Sequence, residues 1–362
     1  MKNFRTVNVL ENSDRQHNRI KYALSSFGFF RLFRLFRLFR NPVFILSLLM
    51  LSGTALQAQK KEPEPAGKDI LKIPVRVEQE PGNFWTEGRK ENFKVLINDK
   101  DSPLRSFLGP ANPTIFLVIF DTVADITRVE IARNSLAENI KEIKPNYWIG
   151  LIKSQDGLSV MQEPTSDKAA LDVSLAQVKV AGRAGLLDTL EQVSSIAQGM
   201  MQKSGVRVCI LYISDSGIAS YRADYLNPVI NSSDSGDLSR RFSDRAVSER
   251  ISRLSDSLSR FTAPIFILHL EYRADTLNLA YQSGLERIST RSGGNAVICR
   301  TNDEIKPGLD ILLEMMKSTY FMGVDIPGGK KPVLKIRVEA VDSDGKSFDR
   351  LAFINQFTLK KK

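Results

Sequence analysis

The spacing of apolar residues changes period twice along the chain. Between residues 70 and 108 apolar and polar residues alternate, as in "ILKIPVRVEQ" and "NFKVLINDKDSPLRSF", and turn residues lie at 81–83 and 98–103. A period of two indicates β-strands with one buried face. The alternation returns after Tyr320, in "VLKIRVEAV" and "SFDRLAFINQF", around a hairpin turn signal at 342–345. We therefore predict a small β unit in which the C-terminal strands pair with the N-terminal ones.

Between these two regions, strand-like runs alternate with segments of helical spacing. Apolar runs predict three central strands, "IFLVIF", "VRVCILYIS" and "PIFILHLEY", while "NYWIGLIKS" with "GLSVMQEP" predicts a hairpin and "GNAVICR" an edge strand. Helical spacing occurs in segments such as "TRVEIARNSLAENIKEI" and "GLLDTLEQVSSIAQGMMQK". This alternation is typical of an α/β fold with a doubly wound, mostly parallel sheet of Rossmann type.

Changes in composition and period divide the chain into five predicted segments. They are a leader (1–58), a charged, proline-containing linker (59–69), an N-terminal β segment (70–112), an α/β domain (113–319) and a C-terminal β segment (320–362). A Ser/Arg/Asp-rich insert at 222–262 interrupts the α/β domain. Its composition predicts a mobile loop followed by a solvated helix.

The leader has the features of an export signal. A basic region that ends in "RLFRLFRLFRN" precedes the apolar "PVFILSLLMLSGTALQA", whose small residues suit cleavage after Ala58 or Ala55. Its apolar core is shorter than the roughly 20 residues that span a bilayer. We expect an exported protein, periplasmic or extracellular, that meets a membrane only through this leader if the leader stays uncleaved.

The charge of the chain argues against a nucleic-acid partner. Residues 1–58 hold nine Lys and Arg against two acids, so the leader accounts for +7 of the net +10 and the remainder carries +3. Such a domain attracts a phosphate backbone weakly. The two cysteines, Cys209 and Cys299, lie in apolar runs and are expected to be small buried residues. A disulfide is permitted in an exported protein, so their redox state stays open.

Two of the predicted central strands end in an aspartate. Asp121 follows "FLVIF" and Asp215 follows "ILYIS", while Asp125 lies four residues beyond Asp121. Ligands of open parallel sheets bind outside the carboxyl ends of the strands, at the switch point between neighbours. We therefore expect these three acids to converge at one edge of the sheet, with no Lys or Arg near them.

Signatures of common hydrolases are missing from the sequence. Neither Gly-x-Ser-x-Gly nor His-Glu-x-x-His occurs. Of the two histidines, His17 lies in the leader, and the apolar surroundings of His269 predict a hydrogen-bonded core residue. The segment "AVDSDGKS" (340–347) lacks the first glycine of a P-loop and precedes a strand-like run, so it predicts a hairpin turn.

The order of these elements resembles a von Willebrand factor A-type domain, and most closely the bacterial, acidobacterial-type VWFA-related exported proteins. Four segments carry the resemblance: "ENFKVLINDK" (91–100), "GRAGLLDTL" (182–190), "GLERISTRSGGNAV" (284–297) and "STYFMGVDIP" (318–327). The similarity covers roughly residues 70–340 as partial matches in the same order.

The resemblance implies where a metal site would lie. The family's metal-ion-dependent adhesion site combines Asp-x-Ser-x-Ser, a Thr and a second Asp around Mg²⁺, which requires octahedral oxygen ligands. Asp121 and Asp215 match the two aspartates, whereas Val123, Asp125 and Ala184 stand at the two Ser positions and the Thr position.

Two hypotheses follow from this degenerate pattern. In the one we favour, no cofactor binds, and the aspartates cap helix N-termini and hold strand-end amides. In the other, Asp121, Asp125 and Asp215 hold Mg²⁺ or Ca²⁺ with the help of water.

The resemblance also implies a kind of function. We expect an exported, non-catalytic protein–protein interaction module that binds an unknown protein through loops at the carboxyl ends of the strands. Two alternatives stay open: a cation-dependent hydrolase that uses the three aspartates, and a structural envelope scaffold with no metal role.

Overall fold

The computed structural model describes residues 70–221, 244–327 and 332–359. The predictions for the leader, the linker and the first half of the insert lie outside the described residues. The described residues of Lys68–Met201 and Gly205–Lys362 form one compact unit. Gln202–Ser204 belong to a second unit whose other residues are not described.

Fifteen strands and six α-helices are formed by the described residues. The strands are β1 (Ile70–Glu80), β2 (Asn83–Phe84), β3 (Phe93–Ile97), β4 (Lys100–Asp101), β5 (Leu104–Leu108), β6 (Thr114–Asp121), β7 (Tyr147–Lys153), β8 (Ser159–Thr165), β9 (Arg207–Ser214), β10 (Ile265–His269), β11 (Asn295–Ile298), β12 (Tyr320–Asp325), β13 (Val333–Ala340), β14 (Arg350–Phe353) and β15 (Gln356–Thr358). The helices are α1 (Ile126–Glu142), α2 (Lys168–Leu175), α3 (Leu186–Ser204), α4 (Asp244–Leu258), α5 (Thr276–Arg291) and α6 (Ile305–Ser318).

The α/β part is built on a six-stranded sheet with the order β11-β10-β9-β6-β7-β8. The five strands from β11 to β7 run parallel, whereas β8 runs antiparallel to β7, so the sheet is mixed. The predicted β7–β8 hairpin and the edge position of β11 are confirmed. Every residue of β6 and β9 is buried, which explains why their central residues are apolar without alternation.

The sheet changes winding direction between β6 and β9. After β6 the chain continues to β7 on one side, while β9, β10 and β11 lie on the other side. The register pairs Asp121 at the end of β6 with Ser214 at the end of β9. The carboxyl ends of these two strands therefore meet at a topological switch point, the place where sheets of this kind bind ligands.

The β unit consists of two antiparallel sheets. One has the order β14-β1-β12-β5, with β2 on β1, and the other has the order β15-β13-β3-β4. Pairing of β1 with β12 and β14, and of β13 with β3, confirms that N-terminal and C-terminal strands combine. Their alternate side chains form a shared apolar core that includes Leu71, Ile73, Val75, Val77, Leu334, Ile336, Val338 and Tyr320.

One predicted strand of the β unit is divided in two. The segment "SFDRLAFINQF" was expected to form a single strand, but it breaks at Ile354 and Asn355. β14 pairs with β1, whereas β15 pairs with β13 in the other sheet. Ile354 is buried in the core that both sheets share, so the break carries the chain from one sheet to the other without exposing an apolar side chain. The predicted turn before this segment is confirmed, because the amide of Asp342 donates to the carbonyl of Lys346.

The second half of the insert forms α4, as expected of a solvated helix. Val247 and Ile251 are buried, while Glu249 and Arg253 are exposed and paired with each other. Cys209 and Cys299 are buried free thiols, and burial raises their pKa values to about 12 and about 11. Across the described ranges, we find no helix with the length and apolar character needed to cross a membrane.

Candidate functional site at the carboxyl edge of the sheet

Asp121 is a fully buried carboxyl group surrounded by donors. Its Oδ1 accepts hydrogen bonds from the amide of Gly185 at 2.7 Å and from the hydroxyl of Ser154 at 2.9 Å. Its Oδ2 accepts from the hydroxyls of Ser216 at 3.0 Å and Ser214 at 3.4 Å. Burial raises the pKa of Asp121, and the hydrogen bonds that it accepts oppose this rise without cancelling it.

Gly185 connects Asp121 to the beginning of α3. It is the N-cap residue of that helix, and its amide belongs to the positive end of the helix dipole. A Cβ atom at position 185 would lie 2.0 Å from the carbonyl oxygen of Ser154. Glycine is therefore required for the helix to begin this close to the Asp121 carboxyl group.

Asp215 is also fully buried, but its partners differ. One oxygen accepts from the amide of Val123 at 2.6 Å, and the other accepts from the amides of Ala124 at 2.9 Å and Asp125 at 2.7 Å. Three consecutive backbone N–H groups of the loop between β6 and α1 thus converge on one carboxylate. Asp215 fixes the conformation of this loop.

Asp125 is partly exposed and caps α1. Its Oδ1 accepts from the amides of Thr127 at 2.9 Å and Arg128 at 3.1 Å, as N-cap aspartates commonly do. Its Oδ2 lies 3.5 Å from Nε of Arg128. The expectation that no basic residue lies near the three acids is therefore wrong. Arg128 lies about one helical turn beyond Asp125. The sequence did not show that its side chain turns towards Asp125, because that orientation depends on tertiary contacts.

The other two positions matched to the metal site contribute backbone groups. Val123 donates its amide to Asp215, and Ala184 donates its amide to the carbonyl of Ser220. Both oxygens of Asp215 and Oδ1 of Asp121 accept from backbone N–H groups, whose fixed hydrogens would face a bound cation. As arranged, these residues do not fit a metal ion.

Three serines contact Asp121 that sequence reasoning missed. Ser154 follows β7, while Ser214 and Ser216 flank Asp215 at the end of β9. The signal available in the sequence was their position, because each lies just at or beyond the end of a predicted strand. Ser216 also contacts the hydroxyl of Tyr281 at 3.2 Å, which lies 2.9 Å from that of Tyr221. A buried hydroxyl network therefore extends from Asp121 to the base of the insert.

Gln155 joins the neighbouring loops and was also missed. Its Nε2 donates to the carbonyl and hydroxyl oxygens of Thr122, at 2.9 and 2.7 Å, and to the carbonyl of Lys179 at 3.3 Å. The residue is 2% exposed. It ties the loop after β6 to the segment before α3.

His269 lies in the core, as its apolar surroundings predicted. It is 1% exposed, and its ring meets that of Tyr281 edge-on at 6.0 Å. Its Nδ1 has no hydrogen-bond partner among the described residues, so the hydrogen bonding that we expected is incomplete. Burial, with a smaller effect from Arg273, lowers the pKa of His269 to about 4. The imidazole is therefore uncharged at neutral pH.

Several solved structures are similar to this chain. A von Willebrand factor type A protein from Catenulispora acidiphila is 11% identical, with a TM-score of 0.41 over 80% of this chain and 74% of that one. The ArnB paralog VWA2 from Sulfolobus acidocaldarius is 11% identical, with a TM-score of 0.38 over 79% and 75% of the two chains. BatB from Bacteroides thetaiotaomicron is 13% identical, with a TM-score of 0.35 over 57% of this chain and 100% of that one.

Von Willebrand factor A domains recur among the structures that are similar to this chain. The sequence matches no protein-family model and no curated protein.

Proposed function

We propose that this chain is an exported, non-catalytic protein–protein interaction module whose binding surface is formed by the loops at the carboxyl edge of the mixed sheet. The supporting observation is that Asp215 is fully buried and holds three consecutive amides of the loop between β6 and α1. A loop held in this way presents a fixed backbone without a metal ion, which lowers the entropy cost of binding.

The burial of the acids supports a role without catalysis. A general acid or base must come within hydrogen-bond reach of its substrate. Asp121 and Asp215 are 0% exposed, and Asp125 is engaged by the first turn of α1 and by Arg128. The hydrolase alternative therefore needs a rearrangement of all three residues before any of them could act.

The loop that Asp215 holds also carries exposed residues at this edge. Ala124, Ile126 and Thr127 are exposed, and Ile126 has 64% of its surface accessible. The β unit lies at the opposite edge of the sheet, where β5 leads into β6 and α6 leads into β12. Among the described residues, the β unit therefore does not cover the carboxyl edge.

A crosslinking experiment in the native host tests the interaction surface. A photoreactive amino acid would replace Ile126 or, as a control, Val173 on α2, which is equally exposed at 64%. The proposal would be supported if position 126 gave a discrete protein adduct and position 173 gave a lower yield of the same adduct. Equal adducts from both positions, or none from position 126, would contradict it.

Calorimetric titration tests the independence from metal. The full chain would be titrated with Mg²⁺, Ca²⁺ and Mn²⁺ beside an Asp125→Asn variant, which changes the most accessible of the three acids. We expect no saturable heat at millimolar metal. Saturable binding that the substitution abolishes would instead support a cation site, and an assay for cation-dependent hydrolysis would then follow.

A further inference from the structure

Arg76 is a buried cation whose charge is only partly accommodated. It lies on β1, is 7% exposed, and its guanidinium carbon is 5.8 Å from the ring centroid of Phe84 and 5.7 Å from that of Phe266. Its Nη1 is enclosed by protein and has no hydrogen-bond partner among the described residues. Two aromatic faces stabilise the cation, but they leave this N–H group unsatisfied.

The guanidinium remains charged at neutral pH. Burial lowers the pKa of Arg76 to about 10, and the carboxylate of Glu78 acts in the opposite direction. A buried charge with an unpaired donor is costly unless a hydrogen-bonded anion or water completes it. Nη1 of Arg76 therefore has the capacity to donate to one further acceptor.

A cleft of about 580 Å³ lies beside the hairpin formed by β1 and β2, which carries Phe84. Phe84 lines the cleft together with Pro110, Ile143 and Tyr147, so the ring that Arg76 covers is also part of the cleft wall. The volume falls in the range of small-molecule sites, which occur preferentially where two parts of a fold meet.

A second buried cation fixes another wall of this cleft. Nη2 of Arg207 donates to the carbonyl of Pro110 at 2.9 Å, and its Nη1 donates to the carbonyl of Lys317 at 3.1 Å. Both of these residues line the cleft. Arg207 is 0% exposed, so this wall is held by the interior of the protein.

The buried arginines, rather than the exposed charges of the lining, determine which ligand charge the cleft favours. On the lining, Lys317 is paired with Glu314 at 2.7 Å, and the exposed Lys144 and Glu142 carry opposite signs. Exposed charges are screened by water and salt, whereas buried charges act through a lower dielectric. Arg76 lies behind Phe84, and Arg207 lies behind Pro110 and Lys317, so both place positive charge just behind the cleft wall. This charge favours an anion over a cation.

We propose that this cleft binds a small organic carboxylate with an apolar body. Its carboxylate hydrogen-bonds to Nη1 of Arg76 after the side chain of Phe84 turns aside, and its apolar body packs against Phe84 and Tyr147. Phe84 is half-buried and lies on a strand of two residues, so its rotation disturbs little of the sheet. This binding site is separate from the carboxyl-edge surface proposed above.

Tryptophan fluorescence provides a direct test on the full chain. The chain has two tryptophans, and Trp85 and Trp148 each follow a residue that lines the cleft, Phe84 and Tyr147. Benzoate would be titrated at constant ionic strength beside benzamide, which has the same shape but no charge. We expect a saturable change with benzoate and at least tenfold weaker binding of benzamide. Absence of saturation with benzoate, or equal binding of the two compounds, would overturn the proposal and leave water as the partner of Arg76.

Substitutions separate the site from general charge effects. Arg76→Gln is expected to weaken benzoate binding at least tenfold, whereas Arg105→Gln, which alters an exposed arginine paired with Asp325, leaves it unchanged. Phe84→Ala removes the ring that separates Arg76 from the cleft, with less risk to folding, and is expected to change the affinity for benzoate at least fivefold. Unchanged affinity in a folded Arg76→Gln variant, or in Phe84→Ala if the arginine variant does not fold, would rule the site out.

Discussion

The guanidinium of Arg207 donates a hydrogen bond to the carbonyl oxygen of Thr319 at 2.6 Å. The same group donates to Lys317, just before the chain leaves α6, and to Pro110 and Asn112, just before β6 begins. One side chain at the start of β9 thus holds both connections between the β unit and the α/β part. Burial lowers the pKa of Arg207, but the carbonyls at the end of α6 are partly negative and stabilise the cation.

Substitution of Arg207 by methionine removes four hydrogen bonds while keeping an apolar stem. The carbonyls would remain buried without donors, and we expect the free energy of unfolding to fall by about 3 kcal/mol or more. Urea denaturation followed by circular dichroism measures this change. Arg105→Met is the matched control, since Arg105 is exposed and its ion pair with Asp325 is screened by water and salt. A loss for Arg207→Met no larger than that of the control would contradict this account of the junction.

Asp215→Ala is expected to loosen the loop between β6 and α1. Three amides lose their acceptor, and we expect stability to fall by about 3 kcal/mol. Hydrogen exchange at Val123, Ala124 and Asp125 should accelerate more than exchange in α6. Asp275→Ala provides the comparison, because Asp275 is an ordinary N-cap of α5 whose loss costs about 1 kcal/mol. If the three amides exchange at the wild-type rate, Asp215 does not hold the loop.

His269 should make the protein less stable in acid. Its pKa is lowered from 6.5 to about 4 in the folded protein, so the unfolded chain binds its proton more tightly. Stability therefore increases as the pH rises from about 4 to 6.5 and is lost as the pH falls through that range, by roughly 3 kcal/mol. Urea denaturation at a series of pH values, compared with His269→Gln, isolates this contribution. Parallel curves for the two proteins would show that the histidine does not titrate differently on folding.

Asp121 should give the opposite dependence on pH. Burial raises the pKa of this carboxyl group above its usual 3.8, so folding favours the protonated form. Its contribution is present below the usual pKa and is lost as the pH rises through the pKa of the folded state. Relative to Asp121→Asn, the wild type should therefore lose stability as the pH rises from 4 towards neutrality. A constant difference between the two proteins across this range would show that the carboxyl group keeps an ordinary pKa when buried.

The sequence predicted strands and helices correctly where buried and exposed residues follow a regular pattern along the element. The strict alternation of β13 and the apolar central residues of β6 and β9 are patterns set by which faces are covered. The sequence does not show that the last strand-like segment is divided into β14 and β15 at Ile354. Both sheets of the β unit offer a pairing partner for an alternating strand, so the pattern alone does not choose between them. The domain boundaries that we predicted stay predictions.

Part of the candidate site was also accessible from the sequence. Asp121 and Asp215 were located because a parallel sheet brings its strand ends to one edge. Their partners were not, because each is distant along the chain: Gly185 lies 64 positions from Asp121, and Val123 lies 92 positions from Asp215. Arg128 was missed for a different reason, since its direction around α1 depends on carbonyls of Leu270 and Arg300, which it contacts.

By itself, the sequence determined the types of element, their order and the placement of two acids at strand ends, because hydrophobic periodicity and turn residues act over short distances. The tertiary structure alone decided what each acid does. Whether Asp121 faces a cation, water or the N-terminus of α3 depends on which loops meet at the switch point. Those contacts join segments that are far apart in the chain, and their geometry is set by packing of the whole sheet.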